Sequence, residues 1–161
     1  VVNERSEGKG FFDPEVPSGQ VVVAQTGVGR FEQALLDGRH RFLADEPVAA
    51  GGGDAGPNPY ELLLMSLGAC TSMTLRLYAE RKQWPLDRVT VRLRHSKIHA
   101  EDCATCETEK GMLDRITREI VLEGALDAAQ RARMMQIADQ CPVHRTLQSE
   151  IVIETSLAPD D

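Results

Sequence analysis

The uncharged run from Leu62 to Leu75, LLLMSLGACTSMTL, limits what this chain can become more than any other feature. Apolar or small residues occupy every side of a helical wheel there, among them Leu63, Leu64, Met65, Gly68, Ala69, Cys70 and Met73, so a helix must be covered all round. Its flanks specify that helix. Asn58 suits the N-cap, Pro59 the first turn, Glu61 the positive end of the helix dipole, and Arg76, Arg81 and Lys82 the negative end. A helix from Tyr60 to about Lys82 is therefore predicted. One chain of 161 residues can bury it only by wrapping most of its sheet around it. Two copies packing such helices at Gly68 and Ala69 would be the other solution. The run falls short of the roughly 18 apolar residues a membrane helix needs, and VVNERSEGKG at the start has no apolar signal core. No membrane partner and a cytoplasmic location are expected, and Val1 in place of an initiator Met fits a processed or trimmed chain.

The rest of the chain reads as an α+β protein of one domain, since length over about 150 predicts one. Residues 1–19 mix charges with Gly8, Gly10, Pro14, Pro17 and Gly19 and read as an irregular arm. The domain itself is expected over 20–157, with a tail at 158–161. Gln20–Gln25 and the run from His40 suggest a small N-terminal antiparallel sheet, and the Gly- and Pro-rich stretch 49–59 a loop. Val89, Val91 and Leu93, then Ile116, Arg118 and Ile120, alternate with polar residues and predict two long strands. Leu126–Gln140 reads as a helix capped by Asp127, and Glu150–Thr155 as a last strand. A net charge of −7 argues against nucleic acid, and aromatic residues at 4% leave few platforms for bases. GGGDAGPNP lacks the signature of a phosphate loop, and no cofactor is expected.

Four cysteines are too few for a disulfide scaffold, which turns attention to thiol or metal chemistry. Cys70 lies mid-helix, where burial disfavours a thiolate and the dipole adds little. It reads equally as a small core residue. Cys141 precedes Pro142, so its sulfur is expected at the N-cap of a new turn, where free amides lower a thiol's pKa, with His144 able to add positive charge. Cys103 and Cys106 form a CxxC pair following His95 and His99, which share a strand face. That loop admits a metal site, a disulfide or two structural thiols. Leu64, Met65, Met73 and Met134 could line an apolar pocket, or simply form core.

The stretch GPNPYELLLMSLGACTSM, with a second cysteine in IADQCPVHRTL, closely resembles the OsmC/Ohr family of thiol-dependent hydroperoxide reductases, over roughly Gly27–Leu157. RFLADEP, GPNPYELL, ACTSMTLRLYAERK and HAEDCATCE look like the branch also found fused to α/β-hydrolase domains. The resemblance implies an OsmC-like fold, with antiparallel sheets wrapped around a central buried helix in an intertwined homodimer. It also implies a cysteine-based peroxidase reducing organic hydroperoxides: Cys70 attacks and becomes a sulfenic acid, Cys141 resolves it, and an external dithiol reduces the disulfide. The family supplies an arginine to activate the attacking thiol; Arg30 matches by position, with Arg39 and Arg41 as rivals. Glu61 would orient it, but the family's glutamate position is occupied by Tyr60 here, and one residue turns a helical side chain by about 100°. The alternative is a non-catalytic redox-sensing or metal-binding OsmC-like module using His99, Cys103 and Cys106.

Overall fold

The computed structural model describes residues 14–103 and 110–158. Its element order is three short strands, a long helix, a long hairpin and two helices: β1 (Val22–Gln25), β2 (Gln33–Leu36), β3 (Arg41–Ala44), α1 (Pro59–Lys82), β4 (Leu86–His99), β5 (Met112–Gly124), α2 (Ala128–Ala138) and α3 (Pro142–Leu147). The architecture is α+β, as expected. The chain divides into two compact units, 1–62 and 63–161, with the boundary inside the first turn of α1.

In the first unit β1, β2 and β3 form an antiparallel meander, Val22 opposite Leu36 and Gln33 opposite Ala44. The sequence marks β1 and β3 but not β2, whose QALL has no alternation. Beyond β3 the Gly-rich loop folds around one carboxylate. Asp45 is buried and accepts hydrogen bonds from the amides of Glu46, Gly53 and Ala55 at 2.8, 2.9 and 3.2 Å. Burial raises its pKa, but the three amides outweigh that and hold it below the ordinary value. The loop's glycines are needed for contact: a Cβ on Gly52 would meet the Glu46 carbonyl oxygen, and one on Gly56 that of Leu43. The loop delivers Asn58, whose side chain accepts from the Glu61 amide at 3.0 Å while the Glu61 carboxylate accepts from the Asn58 amide at 2.8 Å. This capping box starts α1 where the sequence places it.

In the second unit β4 and β5 pair antiparallel from Leu86–Gly124 to His99–Met112. Gly68 of α1 packs so close to Leu93 of β4 that a Cβ would lie 2.9 Å from its methyl. Gly68 thus lets the protein's own strand approach α1 closely. Leu75 and Ala79 of α1 join Leu86, Leu126, Met134, Ile137 and Ala138 in the core, edged by Tyr78, Trp84, Val89, Ile120 and Leu122. Arg76 fixes the end of α1 to the start of β4, donating to the carbonyls of Leu86 and Asp87 at 2.6 and 2.7 Å. Asp127 caps α2 in a box with Gln130.

One expectation fails. Glu150–Thr155 forms no strand; Ile151, Val152 and Ile153 are exposed, because alternation only makes a segment fit a sheet and no described strand pairs with this one. Within one chain α1 is covered on one side: Leu67, Gly68, Thr71, Leu75 and Ala79 are buried, while Leu63, Met65, Met73 and Leu77 are exposed. By length and composition alone α1 could also cross a bilayer, a test that core helices pass equally.

Leu75→Ala should cost about 2–5 kcal/mol of stability in urea unfolding, the usual range for emptying a filled core site. Asp45, with its pKa lowered, stabilises the fold above the unfolded carboxylate value of about 3.9 and loses that contribution as pH falls through its folded value. Acid unfolding monitored by circular dichroism should therefore lose part of its pH dependence in Asp45→Asn, and an unchanged acid limb would show that the carboxylate is not what organises the loop.

Candidate active site

Four polar side chains meet on the covered side of α1, all within the second unit. Cys70 and Thr71 are neighbours on α1, Cys141 stands at the start of α3, and Arg118 projects from β5. Both Cys70 and Cys141 are free thiols. Cys141 is fully buried, and so is Thr71, whereas Cys70 is half-buried.

Cys141 is the N-cap of α3, with Pro142 in the first helical position. Its sulfur accepts the His144 amide at 3.5 Å and lies 3.8 Å from the Thr71 hydroxyl. Cys70 lies close enough for each thiol to shift the other's acidity, so the structure brings together two cysteines that sequence spacing alone leaves apart. Burial pushes Cys141 up, but the His144 amide, the Cys70 thiol, the Thr71 hydroxyl and the Val143 amide together hold it below the ordinary thiol value. Burial also pushes Cys70 up; the Val143 amide and Thr74 hydroxyl oppose this, but donation to Cys141 and the nearness of its negative charge keep Cys70 raised. As pH rises, the first proton therefore leaves Cys141, and the remaining one stays on Cys70.

Arg118 is the participant that the sequence reading did not single out. Its guanidinium donates to the Thr71 hydroxyl at 3.0 Å and the Ala138 carbonyl at 3.2 Å, and pairs with Asp139 at 2.7 Å. The available signal was its phase: Arg118 falls between Ile116 and Ile120 on the inward face of an alternating strand, where a charge requires partners.

The other candidates lie elsewhere. Arg30, in the first unit, is exposed and stacks on the Phe31 ring at 4.7 Å. Glu61 is engaged in the α1 capping box, and Tyr60 beside it is 51% exposed. Arg39 and Arg41 lie on the turn before β3 and at its first residue. Met134 is core while Met65 and Met73 face solvent, so these do not line one pocket. In the hairpin loop Cys103 is disulfide-bonded, which leaves it no thiolate for a metal. Cys106 lies outside the described residues. His95 is bonded to Asp114 at 2.8 Å, and among the described residues no three potential metal ligands gather.

The family model for OsmC-like protein matches residues 51–156, more than half of the chain and both free cysteines. No curated protein matches. Among solved structures, the OsmC-like protein of Mycoplasma pneumoniae is similar at 18% identity over 80% of this chain and 86% of its own, with a TM-score of 0.61. The organic hydroperoxide resistance protein OsmC of Legionella pneumophila is similar at 20% identity, over 80% and 89%, with a TM-score of 0.57. OhrB of Bacillus subtilis, an organic hydroperoxide resistance protein, is similar at 20% identity over 80% and 90%, with a TM-score of 0.55. At these identities the likeness is one of fold.

The coupled thiols make a reciprocal prediction. Cys70→Ala removes a donor to Cys141 and should raise the Cys141 pKa, whereas Cys141→Ala removes a nearby negative charge and should lower that of Cys70. Ultraviolet thiolate absorbance against pH reads both, and shifts in the same direction would refute the coupling.

Proposed function

This chain belongs to the OsmC-like protein family, and on that premise we propose that it is a cytoplasmic, homodimeric thiol peroxidase reducing organic hydroperoxides, with Cys70 as the attacking and Cys141 as the resolving cysteine. The observation that carries this reading is the placement of Cys70 on α1 beside Cys141 at the N-cap of α3. It also reconciles the more acidic thiol being Cys141 with attack by Cys70. The Cys141 thiolate takes the Cys70 proton as the Cys70 sulfur attacks the peroxide; the O–O bond breaks and the departing alkoxide takes that proton to leave as an alcohol. Cys141, a thiolate again, attacks the Cys70 sulfenic sulfur, displacing hydroxide and forming the disulfide. An external dithiol then restores both thiols and leaves as its own disulfide.

The resemblance further assigns Arg30 as the cation that activates Cys70, with Arg39 and Arg41 as rivals, and Glu61 as its orienting carboxylate. Glu61's place in the capping box and Tyr60 at the family's glutamate position favour a slower enzyme. The homodimer is favoured by the uncovered apolar face of α1, where Met65 and Met73 are 57% and 70% exposed, and by Ile151–Ile153, which no described strand pairs. The single domain over 20–157 belongs to the same reading.

Fully reduced protein should consume cumene hydroperoxide in a single turnover and yield a Cys70–Cys141 disulfide by mass analysis. Cys70→Ser should abolish consumption, Arg30→Met should slow it at least tenfold, and Cys103→Ser should leave it intact. Dependence on Cys103 instead would overturn this reading in favour of a redox module built on the hairpin loop. Sedimentation should show a dimer, and Met73→Glu should shift it toward monomer.

A further inference from the structure

Arg118 is unusual in its setting. It sits on the inward face of β5 with its side chain only 12% exposed, and its ion-pair partner Asp139 is 66% exposed. Water screens Asp139 far more than it screens the guanidinium, so positive potential remains on the inner side, where Nη1 reaches Thr71. The Thr71 hydroxyl has one hydrogen and two acceptors within reach, the Leu67 carbonyl at 2.8 Å and the Cys141 sulfur at 3.8 Å. Accepting from Arg118 makes that hydroxyl a stronger donor, and charge on Cys141 decides which acceptor it serves. We propose that Arg118 is a positioning residue which, through the Thr71 hydroxyl, holds the Cys141 sulfur as the thiolate that departs when an external thiol opens a Cys70–Cys141 disulfide.

The proposal deepens the peroxidase reading and rests on it for the existence of that disulfide. Two independent observations fix the direction of opening. Cys141 is fully buried and Cys70 is not, so an incoming thiolate reaches the Cys70 sulfur. The donors around Cys141 also make it the better leaving group. The incoming thiolate bonds to Cys70, the S–S bond breaks, and its electron pair stays on Cys141. The second thiol of the reductant then attacks its own sulfur in the mixed disulfide, leaving as a cyclic disulfide and freeing Cys70. The titratable and charged groups near Cys141 are Cys70 on α1, Arg118 on β5 with Asp139 at the end of α2, and His144 within α3.

The test avoids hydroperoxide. In a Cys70→Ser background, with Cys70→Ser/Cys141→Ser as the blank, thiolate absorbance titrates Cys141 alone. Arg118→Met should move its midpoint up by about one pH unit, a tenfold loss of thiolate near the midpoint. Arg118→Lys should recover part of this, and Arg118→Met added to Thr71→Val should shift nothing further. With both cysteines present and the disulfide formed by diamide, Arg118→Met should slow reduction by dithiothreitol about threefold, as a half-strength dependence on leaving-group acidity implies. A monothiol should be captured on Cys70. An unshifted midpoint in folded Arg118→Met, or capture on Cys141, overturns the proposal; if Arg118→Met does not fold, an unshifted midpoint in Thr71→Val does so. Absence of peroxide turnover with these dependences intact would sink the peroxidase reading alone.

Discussion

The apolar girth of α1 exceeds what its own chain covers, and most of the second unit is arranged in response. The buried positions Leu67 and Gly68, then Thr71, Leu75 and Ala79 at steps of three or four residues, form one stripe, which lies against the hairpin and α2. Cys70 precedes Thr71 by one residue, and that step of about 100° carries it from the centre of the stripe to its edge. Its partial exposure follows from this phase. Thr71, on the stripe, is sealed; Cys70, at the border, is reachable; and Cys141 comes up beneath them from the start of α3.

Placing polar groups under an apolar helix is costly unless each is paired, and the arrangement meets that demand. Among the described residues no buried side-chain nitrogen or oxygen lacks a partner. The guanidinium of Arg118 is shared among a hydroxyl, a carbonyl and a carboxylate, and the Cys141 sulfur collects an amide and a hydroxyl. Most donors of this network are already committed, and the Thr71 hydroxyl alone is divided between the Leu67 carbonyl and the Cys141 sulfur. Fixed donors such as the His144 amide serve acidity, since they need not reorganise to meet a thiolate.

Local signals were legible where the chemistry is local. Asn58, Pro59 and Glu61 specify the start of α1, Asp127 that of α2, and Cys141 with Pro142 that of α3, because a cap is a contact across three residues. The hairpin was legible from alternation over both strands. What escaped depends on distant partners. β2 is too short for a pattern and exists through two neighbours, whereas Ile151–Ile153 has the pattern and no described neighbour. Arg118 was visible as one member of an alternating run; its meaning came from Thr71 and Ala138, elements away.

Thr71 and Cys141 meet across seventy positions of sequence, while β4 and β5 are joined directly and α1 needs only its own turns. Contacts of short separation form early in folding and those of long separation late, since the entropy of closing the larger loop must be met first. The long helix and the hairpin therefore have their own contacts before residue 141 is drawn in to join them. The thiol pair is accordingly a late product of maturation, and an incompletely folded chain carries two ordinary, separate cysteines in its place.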